Sequence, residues 1–363
     1  MDKINVTKSY LPPFEEYTSK IKSIWDNHFL TNYGPLHNEL EEKMTRYLGV
    51  ERLHYVNNGT IALLLALDCL NLENCEIITT PFSFIATASS IVWQKCKPIF
   101  VDINQDNFNI DVSKIEEKIT SRTKAILTVH CFGFPCEVEA IAQIANKYKL
   151  HVIYDAAHAF GVKYKNKSLL SYGDISCCSL HATKIFHSVE GGLCVVNNVN
   201  YNSKMTAIKN FGKLDQDYEF IGINAKNSEF HAAMGLCVLD HLDEIITKRK
   251  HVYDRYKSKL NNIVTISTIP NNCSYNYIYF PVLFKDEDEL LKVFKALNEK
   301  EIYPRRYFYP SLTELKIFET NDEFPVSLDI SKRIACLPFD TYLSDAQIDV
   351  ICDIIKNCCK GDV

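Results

Sequence analysis

The stretch Glu137-Val138-Glu139-Ala140-Ile141-Ala142-Gln143-Ile144-Ala145-Asn146-Lys147-Tyr148-Lys149-Leu150-His151-Val152-Ile153-Tyr154-Asp155 changes period halfway along. Val138, Ile141, Ile144 and Ala145 recur at helical spacing and would share one face of a helix over 137–148. His151 to Tyr154 follows as a short apolar run that reads as a buried strand, and it ends on a carboxylate, Asp155. Upstream, Ala125 to His130 is a second strand of the same kind. Strand, helix, strand in this order is the unit of a parallel sheet covered by helices.

The alternation persists on both sides of this stretch. Leu36 to Leu48 is amphipathic, Thr60 to Cys69 is a Leu/Ala-rich helix, and Glu76 to Thr79 is a buried strand. A helix over Ile85 to Trp93, a strand over Pro98 to Val101 and a helix over Val112 to Ile119 complete the first half. After Asp155 come an apolar strand, Leu193 to Val196, and a longer helix from Ser228 to Asp243. The charged run Thr247-Lys248-Arg249-Lys250-His251 marks passage into a second unit, with a strand over Tyr277 to Phe284 and a helix over Glu287 to Asn298. The expected fold is α/β: a large domain over 1–244, whose segment 1–14 packs on the small domain, and a smaller C-terminal α/β domain over 245–363.

The composition narrows the classes of function. A chain of 363 residues, 47% of them hydrophobic, has room for a large core and is no short binding module. The formal net charge of −5 and the absence of a long Lys/Arg run speak against a nucleic-acid partner. Met1 to Tyr10 has no apolar core of the signal-peptide kind, and no stretch has the length of a membrane span, so a cytoplasmic protein is expected. The 14 cysteines include no CxxC pair, which predicts neither a metal site nor a disulfide framework.

Chemistry concentrates on a few segments. Lys184 ends the run Ser179-Leu180-His181-Ala182-Thr183-Lys184 and is followed by Glu190-Gly191-Gly192. A lysine of lowered pKa holds an aldehyde cofactor as an imine, and a carboxylate against a pyridine nitrogen keeps that ring an electron sink. Lys184 and Asp155 thus suggest a pyridoxal phosphate site. Asn58-Gly59-Thr60 opens a helix and suits a phosphate, although the same tripeptide is an ordinary turn and cap. Phe84, in Pro81-Phe82-Ser83-Phe84, stands at a strand's C-terminal end, where a ring would stack on a cofactor or pack in the core.

Taken together, these segments resemble the nucleotide-sugar aminotransferases of the DegT/StrS type, within the fold-type I pyridoxal phosphate enzymes, over nearly the whole chain. The matching segments are Asn58-Gly59-Thr60, Pro81 through Thr87, Asp155-Ala156-Ala157-His158-Ala159, Ser179 through Lys184 with Glu190-Gly191-Gly192, Gly222-Ile223-Asn224, and Arg305-Arg306-Tyr307-Phe308-Tyr309-Pro310. The resemblance implies that Lys184 tethers pyridoxal 5'-phosphate and then shuttles the substrate proton. Asp155 would pair with the pyridine nitrogen, and His158, where many relatives have glutamine, would stand beside the ring hydroxyl. Gly59, Thr60 and Ser179 would hold the phosphate, Phe84 would stack on the ring, and Asn224 would reach the phosphate of a neighbouring subunit, so a homodimer is implied. Lys226 stands where arginine is common.

Tyr307, Phe308 and Tyr309 with Arg305 and Arg306 suit a nucleotide-linked sugar, as aromatic faces and guanidinium groups match a sugar ring and a diphosphate. The other reading is a solvated arginine pair beside packed aromatics. His130 faces either the substrate pocket or the core. The expected reaction takes an amino group from L-glutamate to a keto sugar. The 303–310 segment and Leu11-Pro12-Pro13-Phe14 resemble members acting on dTDP-4-keto-6-deoxyglucose, which implies amination at C4, with a C3 amination or a non-catalytic cofactor-binding protein as rivals. Dehydratase relatives carry histidine at the tethering position, so Lys184 favours amination.

Overall fold

In the computed structural model, residues 3–318 and 320–359 are described. A seven-stranded sheet forms the large domain from β1 (Leu53–Val56), β2 (Glu76–Thr79), β3 (Lys97–Phe100), β4 (Thr123–Val129), β5 (His151–Asp155), β6 (Ile175–Ser179) and β7 (Gly192–Val196), in the spatial order β1-β7-β6-β5-β4-β2-β3. The pairs β2–β3, β2–β4, β4–β5 and β5–β6 run parallel, while β7 runs antiparallel to both β1 and β6. The sheet is therefore mostly parallel, and its parallel strands end on one edge.

Helices cover both faces, and α1 (Phe14–Asn27) and α6 (Asn202–Ile208) pack on other helices. α2 (Pro35–Leu48) buries Leu36, Leu40, Met44 and Leu48, a stripe at helical spacing. α3 (Gly59–Cys69) has no polar stripe, because it packs on β6 and β7 and also on α4 (Ile85–Trp93). α5 (Val138–Tyr148) turns Val138, Ile141, Ile144 and Ala145 inward, as its sequence spacing requires. α7 (Glu229–Asp240) buries nearly all of its length. Its Glu229 carboxylate accepts the Leu36 and His37 amides at 2.8 Å each and so caps α2 from a distant part of the chain.

The C-terminal region carries a three-stranded antiparallel sheet of β8 (Thr265–Ile266), β9 (Pro281–Leu283) and β10 (Ile334–Cys336). Helices α8 (Leu242–Leu260), α9 (Glu287–Asn298), α10 (Pro325–Arg333) and α11 (Asp345–Cys359) pack around it, and Ile4–Asn5 pairs in parallel with Ile302–Tyr303. The division expected at 244/245 falls inside the first turn of α8.

Three sequence expectations differ from the structure. Val112 to Ile119 is two short 3₁₀ turns, Val112–Lys114 and Glu116–Lys118, rather than a helix. Asp111 caps the first turn through the Ser113 amide, and Ile115, which separates the two, is fully buried. The helix expected over 228–243 stops at Asp240, and α8 starts at Leu242. The strand expected over Tyr277 to Phe284 shortens to Pro281–Leu283, because Tyr277 adopts a left-handed backbone with φ 56°, which breaks an extended ladder. No helix among the described residues is long and apolar enough to cross a membrane.

Candidate active site

The parallel strands end at a cavity of about 670 Å³. Its walls include Gly59, Thr60, Phe84, Asp155, His158, Ser179, Lys184, Arg305, Tyr307 and Phe308, brought together from segments far apart in sequence. Such a crevice beyond the carboxyl ends of the strands is where open α/β sheets bind ligands.

Lys184 sits in the turn that leaves β6 and returns as β7. The turn is closed by backbone hydrogen bonds from Leu180 to Gly191 (2.8 Å), Ala182 to Val189 (2.7 Å) and Lys184 to His181 (2.8 Å). Loss of hydration pushes the Lys184 pKa below the ordinary lysine value, and Asp155, Cys178 and Tyr307 oppose that shift. Its Nζ stands 5.9 Å from the centre of the Tyr279 ring. An amine held this way has a larger neutral fraction, which is what nucleophilic attack on a carbonyl requires.

Asp155 ends β5 and is almost fully buried. Burial raises its pKa, while the Thr87 hydroxyl, the Ala157 amide and Lys184 act to lower it. Thr87 Oγ1 donates to Oδ2 at 2.7 Å, and the Ala157 amide donates to Oδ1 at 3.1 Å. Because the single Thr87 proton goes to Asp155, the Ser83 hydroxyl 2.7 Å away must be the donor to Thr87. Ser83, Thr87 and Asp155 thus form a directed chain from α4 to the end of β5.

His158 is buried, and desolvation, aided by Lys184, pushes its pKa well below the usual imidazole value. Its Nδ1 accepts the Phe132 amide at 3.1 Å. An acceptor at Nδ1 on a neutral ring leaves the proton on Nε2. The tautomer follows from a backbone contact. The ring lies parallel to those of Phe132 and Phe308 within 5°, at 6.2 and 6.0 Å, and meets Tyr279 edge-on at 5.1 Å. Asn276 Nδ2 donates to the His158 and Phe160 carbonyls at 2.9 and 3.0 Å and fixes the loop from the small-domain side.

Across the cavity, Asn58 caps α3 through the Ile61 amide at 2.8 Å, and the first amides of the helix have no acceptor within it. Ser179 closes on this turn so tightly that a Cβ on Gly59 would lie 2.9 Å from the Ser179 Cβ, and one on Gly192 would lie 2.4 Å from the Asn58 carbonyl. Glycine is required at both places by close approach. Phe84 precedes α4 and keeps 61% of its surface exposed on the rim, an apolar face with no protein partner to cover it. The arrangement fits a flat, phosphate-bearing aromatic aldehyde. The α3 amides with Ser179 and Thr60 suit the phosphate, Asp155 a ring cation, the His158 Nε2–H a ring oxygen, and Lys184 the aldehyde carbon.

Other expected residues fall elsewhere. His130 does not line the cavity: it is fully buried, stacks on Tyr154 at 4.4 Å, and its Nδ1 accepts the Cys136 amide at 3.1 Å. Burial pushes its pKa down to about 3. Arg306 is also turned away, donating to Glu287 (2.7 Å) and to the Lys332 carbonyl (2.7 Å), with its guanidinium 3.4 Å over the Tyr309 ring. Arg305 remains on the cavity wall. Asn224 lies outside this cavity, with its Oδ1 on the Lys226 amide at 3.4 Å, among the exposed apolar side chains of Phe211, Ile221 and Ile223. Thr87, Ser83 and Tyr279 are contributors that sequence reading left unassigned. Thr87 carried one usable signal, its place in the first turn of the helix that Phe84 precedes.

Comparison with known proteins extends over the whole molecule. The model of a family described as the DegT/DnrJ/EryC1/StrS aminotransferase family matches residues 14–356. A dTDP-4-amino-4,6-dideoxy-D-glucose transaminase of Shigella dysenteriae is 43% identical over 361 residues, covering 97% of this chain and 98% of that one. One of the same name from Escherichia coli is 39% identical over 353 residues, covering 94% and 95%. Among solved structures, DesI in the presence of its TDP-sugar product superposes with a TM-score of 0.94 at 28% identity, covering 99% of this chain and 94% of that one.

Proposed function

The chain belongs to the DegT/DnrJ/EryC1/StrS aminotransferase family and is a nucleotide-sugar aminotransferase, and on that premise we propose that it uses pyridoxal 5'-phosphate to carry an amino group from L-glutamate to C4 of dTDP-4-keto-6-deoxyglucose, giving dTDP-4-amino-4,6-dideoxyglucose. The observation that carries the cofactor assignment is Lys184, with its lowered pKa, sharing one cavity with the buried Asp155 carboxylate. The substrate assignment rests on the two transaminases named above and on Arg305, Tyr307 and Phe308 at the wall where a sugar and its diphosphate would enter.

When bound, pyridoxal phosphate supplies an electron sink for negative charge developing at the carbon that loses a proton. Lys184 Nζ would tether the cofactor, then take the proton from the amino donor's α-carbon and return one to the sugar carbon. Asp155 would hold a proton on the ring nitrogen, kept in place by the Ser83–Thr87 chain. The His158 Nε2–H would donate to the ring oxygen. Gly59, Thr60 and Ser179 would hold the phosphate, and Phe84 would cover one face of the ring.

The same reading makes the enzyme a homodimer, with Asn224 completing the phosphate site of the neighbouring subunit. In its favour, Asn224 lies away from its own chain's cavity and beside apolar side chains that are unusually open to solvent, Ile221 at 94%. A steady-state assay with dTDP-4-keto-6-deoxyglucose and L-glutamate tests the reaction: release of 2-oxoglutarate matched by the 4-amino sugar supports it. Loss of both would overturn it, and amination of the 3-keto isomer alone would reassign the carbon.

A further inference from the structure

Strands β4 and β5 carry residues of the active cavity, Val129 and Asp155, at their carboxyl ends. At their opposite ends lies a second cavity of about 460 Å³ that the reaction does not use. β5 connects the two directly, since His151 at its start lines the second cavity and Asp155 at its end lines the first. The walls are the loop 70–75 after α3, the approach to β4 and the approach to β5.

Three cations converge here: Arg122 just before β4, Lys124 at the start of β4, and Lys149 before β5, with the His151 ring beside them. Among the described residues none of the three cations forms an ion pair, and Lys124 Nζ donates to the Ser121 carbonyl at 3.3 Å. Glu73, the one carboxylate on this wall, is held by Lys95 at 3.0 Å. His151 is steadied by Asp174 at 3.6 Å. Elsewhere on the surface, lysines and arginines are commonly paired, as in Lys147–Glu116, Lys165–Glu139 and Arg255–Asp349. A concave group of unpaired cations on a chain of net charge −5 is a local departure from the whole, and such a group concentrates polyvalent anions.

We propose that this cavity is a binding site for a small diphosphate-bearing anion, held by Arg122, Lys124 and Lys149, separate from the active site at the other end of the strands. Arginine matches phosphate oxygens with its planar fork, and the two lysines supply mobile point charges around it. The volume admits a diphosphate and more, so the source is either free inorganic diphosphate or a nucleoside diphosphate. Both share the group that the cations recognise.

The test is calorimetric titration of the full-length protein, saturated with pyridoxal phosphate, by inorganic pyrophosphate. Replacing two exposed ionic contacts in the double variant Arg122→Gln/Lys124→Gln should weaken binding roughly tenfold, while Lys124→Arg should retain it. Arg305→Gln, at the active cavity, should leave the affinity unchanged. The proposal is overturned by an affinity equal in the double variant and the parent, by loss of binding in Arg305→Gln, or by no measurable binding in the parent. A parallel titration with ADP separates the sources. Tighter binding than pyrophosphate assigns a nucleoside diphosphate, and weaker binding assigns the free anion.

Discussion

Thr87 Oγ1 donates to Asp155 Oδ2 at 2.7 Å, which ties the first turns of α4 to the carboxyl end of β5. The carboxylate is buried, and burial alone raises its pKa, so each donor that reaches it helps to keep it charged. Asp155 would act on a ring nitrogen only in that charged form, which makes the hydroxyl of Thr87 part of the chemistry at one remove.

Replacing that hydroxyl gives a signed prediction. Thr87→Val keeps the shape and removes the donor, so the Asp155 pKa rises further. The acid limb of the kcat/KM profile then moves to higher pH, by a shift that reflects a lost interaction of about 1.5–3 kcal/mol, the size of a hydrogen bond to a charged group. Thr87→Ser should restore the profile. An unchanged acid limb in Thr87→Val would mean that the contact does not set the ionisation.

His158 leads to a different pH prediction. Its folded-state pKa lies well below the usual value of about 6.5, so the ring stays neutral through the range in which a free imidazole titrates. The activity profile should show no inflection there that disappears in His158→Gln. Glutamine also offers an N–H to the cavity, so His158→Gln should stay within a few-fold of the parent, whereas His158→Leu loses a donor worth about 1 kcal/mol. Equal loss in both variants would remove the donor role.

Close packing of backbone sets a stability prediction at Gly192. An added Cβ would come within 2.4 Å of the Asn58 carbonyl, which is backbone and has nowhere to go. Gly192→Ala should cost about 1–3 kcal/mol in chemical denaturation, as overpacking does, and weaken cofactor retention through the displaced turn at Gly59. A stability equal to the parent would show that β1 and β7 can separate freely.

The dimer is testable by mixing. Subunits carrying Lys184→Ala and subunits carrying Asn224→Ala should each be inactive or impaired alone. If Asn224 serves the neighbouring site, a mixed dimer holds one intact site. An equal mixture then recovers about a quarter of parental activity, from the statistics of random pairing of two subunit types. No recovery above the separate variants would place Asn224 outside the shared site.

The sequence was most legible where local and global signals agree. Glu287 to Asn298 is found with both ends correct because Asp286 caps it, acids fill its first turn and Leu290, Val293 and Leu297 recur at helical spacing. The run 112–119 carried similar apolar spacing, yet it closes as two 3₁₀ turns, which periodicity alone does not separate from a helix. Lys184, Asp155, His158 and the Asn58–Thr60 turn were legible because several motifs stood in order along the chain. Thr87 and Ser83 were not, since a hydroxyl acquires its meaning only from the carboxylate it meets across 68 residues. His130 and Arg306 show the converse. Each has the right residue type in the right neighbourhood, but His130 packs on Tyr154, and Arg306 is taken by Glu287 and backbone carbonyls.

The most direct test of the account is to reduce the protein with borohydride in the presence of pyridoxal phosphate, digest it and map the labelled peptide. A single label is expected, on Lys184, and it should be absent from Lys184→Ala. A label on any other lysine, or no label on the parent protein, would contradict it.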